Sequence, residues 1–418
     1  MTAPGTVATA VVTWARDDDF ARIAARFAAP LRAAVTADAL RLAWLAQVGA
    51  HGAVRNLGDP VAEQPAAGLV RVRVPVHCAR DSFAVVMSVD DTGYLHGLRL
   101  APADETPWSP PEYARPERFA ERPVTLAAGH DELPGTLSLP RDAAPTPAVV
   151  LLPGGGPFDR DATSGPNKPL KDLAWGLADR GVAVLRFDKL THLDPGTWQR
   201  PGFTLADEYL PGALAAVDLL RREPSVDPDR VFLVGHSMGA TVAPRIAAAG
   251  ASVAGLVLLA AEAQPMQHSA VRVARHLAAL EPGPAADATV ATIVQQAATV
   301  DSAALTADTP ASELPFGFPG SYWLDRRGYD PVGTAAGLTV PMLIAQGGRD
   351  YQVTVADDLA RWREALGARP HVTIRVYPAD NHLFFPGTGP SGPADYLAPQ
   401  HVDRALVDDL AGWLTADR

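Results

Sequence analysis

The stretch that decides the fold is Val231-Phe232-Leu233-Val234-Gly235-His236-Ser237-Met238-Gly239, which continues into the alanine-rich segment from Ala240 to Ala249. An apolar run, a glycine-flanked turn and an alanine-rich segment predict a strand, a sharp turn and a helix. In this setting G-x-S-x-G is typical of a nucleophile elbow, in which two glycines let the backbone crowd around a strained serine. Ser237 is the candidate nucleophile, and a chance glycine-serine turn is the alternative.

A serine nucleophile needs a general base and an acid that orients the base, and in this kind of sheet they follow the serine along the chain. The strand from Pro341 to Ala345 leads to Asp350, and the strand from Val372 to Tyr377 leads to His382. Both side chains are therefore expected beyond the carboxyl ends of strands. We predict Asp350 as the acid and His382 as the base. Glu262, which follows the strand from Leu256 to Ala260, is the rival acid, and Asp350 as a mere helix cap is the alternative.

Acyl transfer also needs hydrogen-bond donors for a developing oxyanion. The backbone N–H of Met238, directly after the serine, is the first candidate. The second is expected in Pro153-Gly154-Gly155-Gly156-Pro157, where the missing side chains allow peptide N–H groups close approach. Gly155 is favoured, with Gly156 next. A phosphate-binding loop is the competing interpretation, but neither G-x-x-x-x-G-K-[ST] nor G-x-G-x-x-G occurs.

These motifs together resemble those of bacterial carboxylesterases of the α/β-hydrolase superfamily. The resemblance is carried by the elbow and by three further runs, Leu152-Pro153-Gly154-Gly155-Gly156-Pro157-Phe158-Asp159-Arg160-Asp161, Gly165-Pro166-Asn167-Lys168-Pro169 and Val184-Leu185-Arg186-Phe187-Asp188-Lys189. It implies a doubly wound, mostly parallel sheet with a helical cap and a Ser-His-Asp esterase. Such esterases commonly carry H-G-S-G-P where this chain has Pro153 to Pro157, so the histidine and serine of that loop are replaced.

Composition indicates a globular protein with no feature of nucleic-acid binding. The chain has 418 residues, 47% of them hydrophobic, and a formal net charge of −11. Excess negative charge repels nucleic acid and anionic membrane surfaces. The single cysteine, Cys78, cannot form an intrachain disulfide. The apolar stretch from Thr6 to Val12 lacks a preceding basic region and is too short to span a bilayer, so we expect a cytoplasmic protein without membrane contact.

The first hundred residues have a different pattern. Apolar residues at helical spacing predict two or three helices between Trp14 and Gly52, and alternation predicts antiparallel strands at 70–76, 82–89 and 93–100. This order favours a small cone-shaped α+β domain at 1–105, followed by a proline-rich linker at 106–122 and the catalytic domain at 123–418. Three roles stay open for the first domain. They are ligand binding, a lid, and dimerisation, which would make the protein a homodimer.

A long insertion at about 263–339 separates two predicted core strands and is expected to form a cap. Its aromatic segment is suited to an apolar pocket over Ser237, and packing of the cap is the alternative. The predicted substrate-binding residues are Phe158, Phe316, Phe318, Tyr322 and Trp323.

The sequence therefore predicts a serine hydrolase of a small-molecule carboxylic ester or lactone. This chemistry requires no metal and no organic cofactor. An acyltransferase, cyclase or eliminating enzyme with the same triad is the main alternative, and a non-catalytic binding protein is the third.

Overall fold

The computed structural model describes residues 3–62, 68–102, 108–141 and 145–416. The chain divides into two compact units, Met1–Pro107 and Trp108–Arg418. The division falls inside the segment 106–122 that the sequence suggests as a linker; residues 106 and 107 lie outside the described part, and a strand begins within the segment at Phe119.

The first unit is an α+β domain with an antiparallel sheet in the order β1-β3-β4-β5, in which β2 also pairs with β3. Its helices are α1 (Pro4–Arg16), α2 (Phe20–Ala24), α3 (Ala29–Ala34) and α4 (Ala37–His51). Its strands are β1 (Val54–Leu57), β2 (Val61–Ala62), β3 (Val70–Cys78), β4 (Ser82–Val89) and β5 (Leu95–Pro102). The apolar stretch from Thr6 to Val12 is thus part of a helix whose Val11 and Val12 are buried in the core of this unit.

The second unit is built on an eight-stranded sheet in the order β13-β12-β11-β10-β8-β9-β7-β6. Its six strands from β13 to β9 are parallel, and β7 and β6 pair antiparallel at one edge. The strands are β6 (Phe119–Ala128), β7 (Asp131–Pro140), β8 (Thr146–Leu152), β9 (Ala183–Phe187), β10 (Val226–His236), β11 (Gly255–Leu259), β12 (Met342–Gly347) and β13 (Val372–Tyr377).

Both faces of this sheet are covered by helices, which explains why strands β8, β9, β11 and β12 are buried at every position. Leu233 contributes to the hydrophobic core on one face and Val234 to the core on the other. The covering helices are α5 (Pro169–Asp179), α6 (Leu190–Leu193), α7 (Leu205–Arg222), α8 (Met238–Ala248), α13 (Ala360–Leu366) and α14 (Arg404–Thr415). The observed sheet confirms the predicted doubly wound, mostly parallel architecture.

Between β11 and β12 the chain forms further helices in the region predicted as a cap. They are α9 (Met266–Leu280), α10 (Pro284–Asp301), α11 (Gly320–Gly328) and α12 (Pro331–Ala336). Polar contacts fix α11 to the core: the Asp325 carboxylate pairs with Arg245 of α8, at 2.8 Å, and accepts the Ala206 N–H of α7. Within the described residues, no helix is both long and apolar enough to cross a lipid bilayer.

Candidate active site

Ser237 lies between the end of β10 and the start of α8, in the predicted strand-turn-helix. Its backbone has φ 54° and ψ −120°, a conformation that costs a non-glycine residue energy and is concentrated at functional sites. The Ser237 N–H donates to the Leu259 carbonyl at 2.8 Å, which helps to fix the turn. A Cβ at Gly235 would collide with the backbone of Gly239, and one at Gly239 with the Leu152 carbonyl. Both glycines are therefore required by close packing around the serine.

His382 and Asp350 are brought together by the loops that follow β13 and β12. His382 Nδ1 and Asp350 Oδ2 lie 2.7 Å apart, and both side chains are buried. An ionised carboxylate that accepts from Nδ1 fixes the tautomer in which Nε2 carries no proton, so that Nε2 is available to accept one. This arrangement suits a general base.

Asp350 is held by further hydrogen bonds. Its Oδ1 accepts the backbone N–H groups of Gln352 and Val353, at 2.8 and 3.0 Å, and its Oδ2 accepts from Gln346 Nε2 at 3.0 Å. Gln346 also donates to the Val353 carbonyl at 2.8 Å, which fixes the amide. Donors on both carboxylate oxygens fix the orientation of the carboxylate towards His382.

His236 connects the serine turn to the loop of His382. Its Nε2 donates to the His382 carbonyl at 2.8 Å, and the two imidazole rings lie 4.8 Å apart. Burial lowers the pKa of His236 from 6.5 to about 3, and the nearby His382 adds to this effect. His236 is therefore neutral near pH 7, and as the neighbour of Ser237 it places the serine beside the His382 loop.

Glu262, the rival acid, lies elsewhere. Its Oε2 is 2.7 Å from Arg326 Nη2 of α11, so that carboxylate is neutralised in an ion pair. The structure thus places Asp350, and not Glu262, in contact with His382.

The glycine-rich loop after β8 lies against the serine turn. A Cβ added at Gly154 would be 3.2 Å from Ser237 Cβ and 3.6 Å from Ser237 Oγ, and one at Gly155 would be 2.9 Å from Met238 Cε. Met238 is the first residue of α8, where backbone N–H groups have no partner within the helix. The two predicted oxyanion donors, Met238 and Gly155, therefore lie in adjacent segments.

The predicted pocket residues differ in burial. Tyr322 and Trp323 are fully buried in α11, and Phe318 is buried and stacks on Trp198 with ring centroids 4.8 Å apart. Phe316 is 55% exposed and has a φ of 60°. Phe158 is half-buried and would lie 3.2 Å from a Cβ at Gly156.

Sequence reasoning missed the polar groups that support these residues. Lys189 Nζ donates to the Gly154 carbonyl at 3.1 Å and pairs with Glu208 at 2.9 Å, and Tyr209 also donates to Gly154. Lys189 belongs to a run that carries the family resemblance, but no pattern along the chain links it to Glu208. Gln346 was missed because it is the one polar side chain in an otherwise apolar strand and forms no recognisable motif.

Residues 149–398 match the family described as "Alpha/beta hydrolase family". Esterase EstD of Thermotoga maritima is 35% identical over 338 residues, which cover 80% of this chain and 77% of EstD.

Two solved structures are more distant in sequence. The 2,6-dihydroxy-pseudo-oxynicotine hydrolase is 17% identical with a TM-score of 0.44, over 70% of this chain and 67% of its own. Est1E from Butyrivibrio proteoclasticus is 16% identical with a TM-score of 0.44, over 70% of this chain and 96% of its own. With the observed sheet, elbow and loops, the family match and the EstD relationship establish that the chain belongs to the α/β-hydrolase family.

Proposed function

We propose that this protein is a serine hydrolase that cleaves a carboxylic ester or lactone through an acyl-enzyme. The observation that carries the proposal is the buried 2.7 Å pair of His382 and Asp350 next to the strained turn of Ser237. The ester as substrate class is supported by the relationship to esterase EstD.

In the first half-reaction, Ser237 Oγ attacks the ester carbonyl carbon while its proton passes to His382 Nε2. The carbonyl oxygen becomes an oxyanion, which the N–H groups of Met238 and Gly155 stabilise. The intermediate collapses when the bond to the alcohol oxygen breaks and His382 returns the proton to that oxygen. Asp350 stabilises the imidazolium that exists between the two transfers.

In the second half-reaction, water attacks the acyl carbon and loses a proton to His382. A second oxyanion forms in the same place and collapses, the bond to Ser237 Oγ breaks, and the proton returns to the serine. The carboxylic acid is released and the enzyme is regenerated.

We propose that the substrate is small to medium in size and apolar. Phe158 and Phe316 are the members of the predicted aromatic set that retain exposed surface, and they are proposed to contact it. Phe318, Tyr322 and Trp323 are proposed to form the packed wall behind them.

The test is the steady-state hydrolysis of p-nitrophenyl esters by the wild type, Ser237→Ala and Ser225→Ala. Ser225 is an exposed serine directly before β10, whereas Ser237 directly follows that strand. The control serine therefore lies at the other end of the strand from the candidate site. We expect Ser237→Ala to lose roughly 10^4-fold or more of kcat/KM and Ser225→Ala to behave as the wild type. Full activity in folded Ser237→Ala would reject the proposal. Release of free acid is expected, and acyl transfer to an added alcohol as the dominant outcome would instead support the acyltransferase alternative.

A further inference from the structure

A buried polar cluster lies directly behind the glycine-rich loop and the start of α8. It consists of Lys189, Glu208, Tyr209 and Tyr322, each at most 5% exposed. Lys189 follows β9, Glu208 and Tyr209 belong to α7, and Tyr322 belongs to the cap helix α11. A buried ion pair in a domain core costs desolvation energy, and similar apolar residues are often at least as stable. Stability alone therefore does not account for this buried pair.

Every ammonium proton of Lys189 has a partner. Lys189 Nζ donates to Gly154 O at 3.1 Å, to the Tyr209 hydroxyl at 2.9 Å and to Glu208 Oε1 at 2.9 Å. The Tyr209 hydroxyl donates in turn to Gly154 O at 2.8 Å, with Pro153 O at 3.1 Å. The Gly154 carbonyl thus accepts from two buried donors, one of them cationic.

The orientation of the Gly154 carbonyl determines that of the Gly155 N–H. The two groups belong to one planar peptide unit, which is trans, so they point in opposite directions. Because Lys189 and Tyr209 hold the carbonyl on one side, the Gly155 N–H is held on the other. Donors on a carbonyl also polarise its peptide unit, which strengthens the N–H as a donor.

Glu208 links this loop to the serine turn. Its Oε1 accepts from Lys189 and, at 2.8 Å, from the Thr191 hydroxyl, and its Oε2 accepts from the Tyr322 hydroxyl at 2.8 Å. The same Tyr322 hydroxyl lies 3.1 Å from Met238 Sδ. One carboxylate is therefore connected to both segments that carry the proposed oxyanion donors.

We propose that Lys189, Glu208, Tyr209 and Tyr322 are positioning residues that fix and polarise the oxyanion hole formed by Gly155 and Met238. This inference rests on the proposed function. Burial raises the pKa of the Tyr209 and Tyr322 hydroxyls, and the Glu208 carboxylate adds to the effect, so both remain donors. Burial lowers the pKa of Lys189, and Glu208 opposes that change.

The test uses the full chain and two variants. The double variant Lys189→Met/Glu208→Gln removes both charges together, so that neither is left unpaired. Tyr209→Phe removes only the Tyr209 hydroxyl oxygen. It provides the test if the double variant does not fold. The matched control is Arg326→Met/Glu262→Gln, which removes both charges of another ion pair, one that fixes α11 to the core but does not reach Gly154.

The readouts are kcat, KM and the inhibition constant of a trifluoromethyl ketone, which forms a hemiketal oxyanion on the serine. A matched methyl ketone reports ground-state binding. For the double variant we expect a roughly 10- to 100-fold loss of kcat, a KM within about threefold, and a loss of trifluoromethyl ketone affinity that parallels kcat. Methyl ketone affinity should stay nearly unchanged, and Tyr209→Phe should show a smaller loss of the same pattern.

Three results would overturn the inference. One is an unchanged kcat in both folded variants. Another is an equal loss of affinity for both ketones, which would indicate general damage to the pocket. The last is an equal loss of kcat in the Arg326/Glu262 control. A wild-type enzyme that hydrolyses no ester and forms no hemiketal would instead reject the proposed function, and this inference with it.

Discussion

At the scale of single residues, the site combines a strained serine with a firmly held carboxylate. A φ of 54° at Ser237 costs of the order of 1 to 3 kcal/mol and persists because the surrounding contacts determine it. Asp350, in contrast, is held by hydrogen bonds and not by a strained backbone. Its two carboxylate oxygens accept from Gln346, Gln352, Val353 and His382. A serine and a carboxylate so constrained need little rearrangement during the reaction.

The acid can be identified by comparing two amide substitutions. Asp350→Asn keeps the shape of the side chain but is expected to favour the wrong imidazole tautomer, with a loss of kcat of about 10^4-fold. Glu262→Gln removes a charge from a pair with Arg326, at 2.7 Å, and should cost less than about tenfold. Steady-state ester hydrolysis by both variants, with circular dichroism to verify folding, makes the comparison. A larger loss in Glu262→Gln would reassign the acid.

At the scale of elements, helix α11, which lies in the region predicted as a cap, is packed firmly against the core. Trp323 and Tyr322 are buried within it, and Arg326 and Asp325 pair with core residues. The 55% exposed Phe316 precedes this helix and is held at a φ of 60°. We therefore expect Tyr322 and Trp323 to pack the core and Phe316 to contact the substrate.

This division predicts different effects of two truncations. Phe316→Ala should shift the chain-length preference among p-nitrophenyl esters by about 1 to 3 kcal/mol, with little change in melting temperature. Trp323→Ala should leave a cavity, lower stability by about 3 to 5 kcal/mol and reduce the rates of all esters alike. Kinetics on a series of acyl chain lengths and thermal unfolding measure both effects. A uniform loss of rate and stability in Phe316→Ala would contradict its place in the pocket.

The sequence predicted well those elements that can be identified from the residue pattern within the element itself. Strand β10 and its turn could be recognised because the apolar run and the glycines are contiguous. Strand β3 could be recognised because its polar and apolar residues alternate, and β4 because it contains a short continuous apolar run. The first four residues of strand β6, 119–122, lie in the segment predicted as a proline-rich linker, so the start of this strand was not recognised. The strand also contains Pro123, and this proline is tolerated because β6 is the edge strand of the sheet.

The supporting side chains could not be predicted for a different reason. Lys189, Glu208 and Tyr322 come from separate elements, and their contacts depend on how α7 and α11 pack against the loop after β8. Helical spacing alone would place Glu208 and Tyr322 on their helices, but it says nothing about a partner over a hundred residues away. Such contacts are properties of tertiary packing.

At the scale of the whole molecule, two buried groups make stability depend on pH in opposite directions. The lowered pKa of His236, about 3, means that stability is lost as the pH falls from 6.5 towards 3, because only the unfolded chain takes up the proton. Burial, aided by the charge of Asp403, raises the pKa of Asp380 from 3.8 to about 7. The folded chain then holds a proton that the unfolded chain has released, so this contribution is lost as the pH rises from 3.8 to 7.

Asp380→Asn isolates the second effect, because the amide does not titrate. Relative to the wild type, the free energy of unfolding of the variant should increase between pH 4 and pH 8, by the order of 2 to 4 kcal/mol. Urea unfolding at both pH values measures it, with the exposed Asp229→Asn as the control. A difference that does not vary with pH, or that falls as the pH rises, would contradict the assigned proton.

The central claim is that Ser237 is the nucleophile, and intact-protein mass spectrometry after reaction with a fluorophosphonate tests it most directly. The reagent forms a bond to an activated serine oxygen with loss of fluoride, so the wild type should gain the mass of one phosphonyl group. Peptide mapping should place that group on Ser237, and folded Ser237→Ala should gain none. Equal labelling of Ser237→Ala, or a wild type that hydrolyses esters while its serine stays unmodified, would contradict the account.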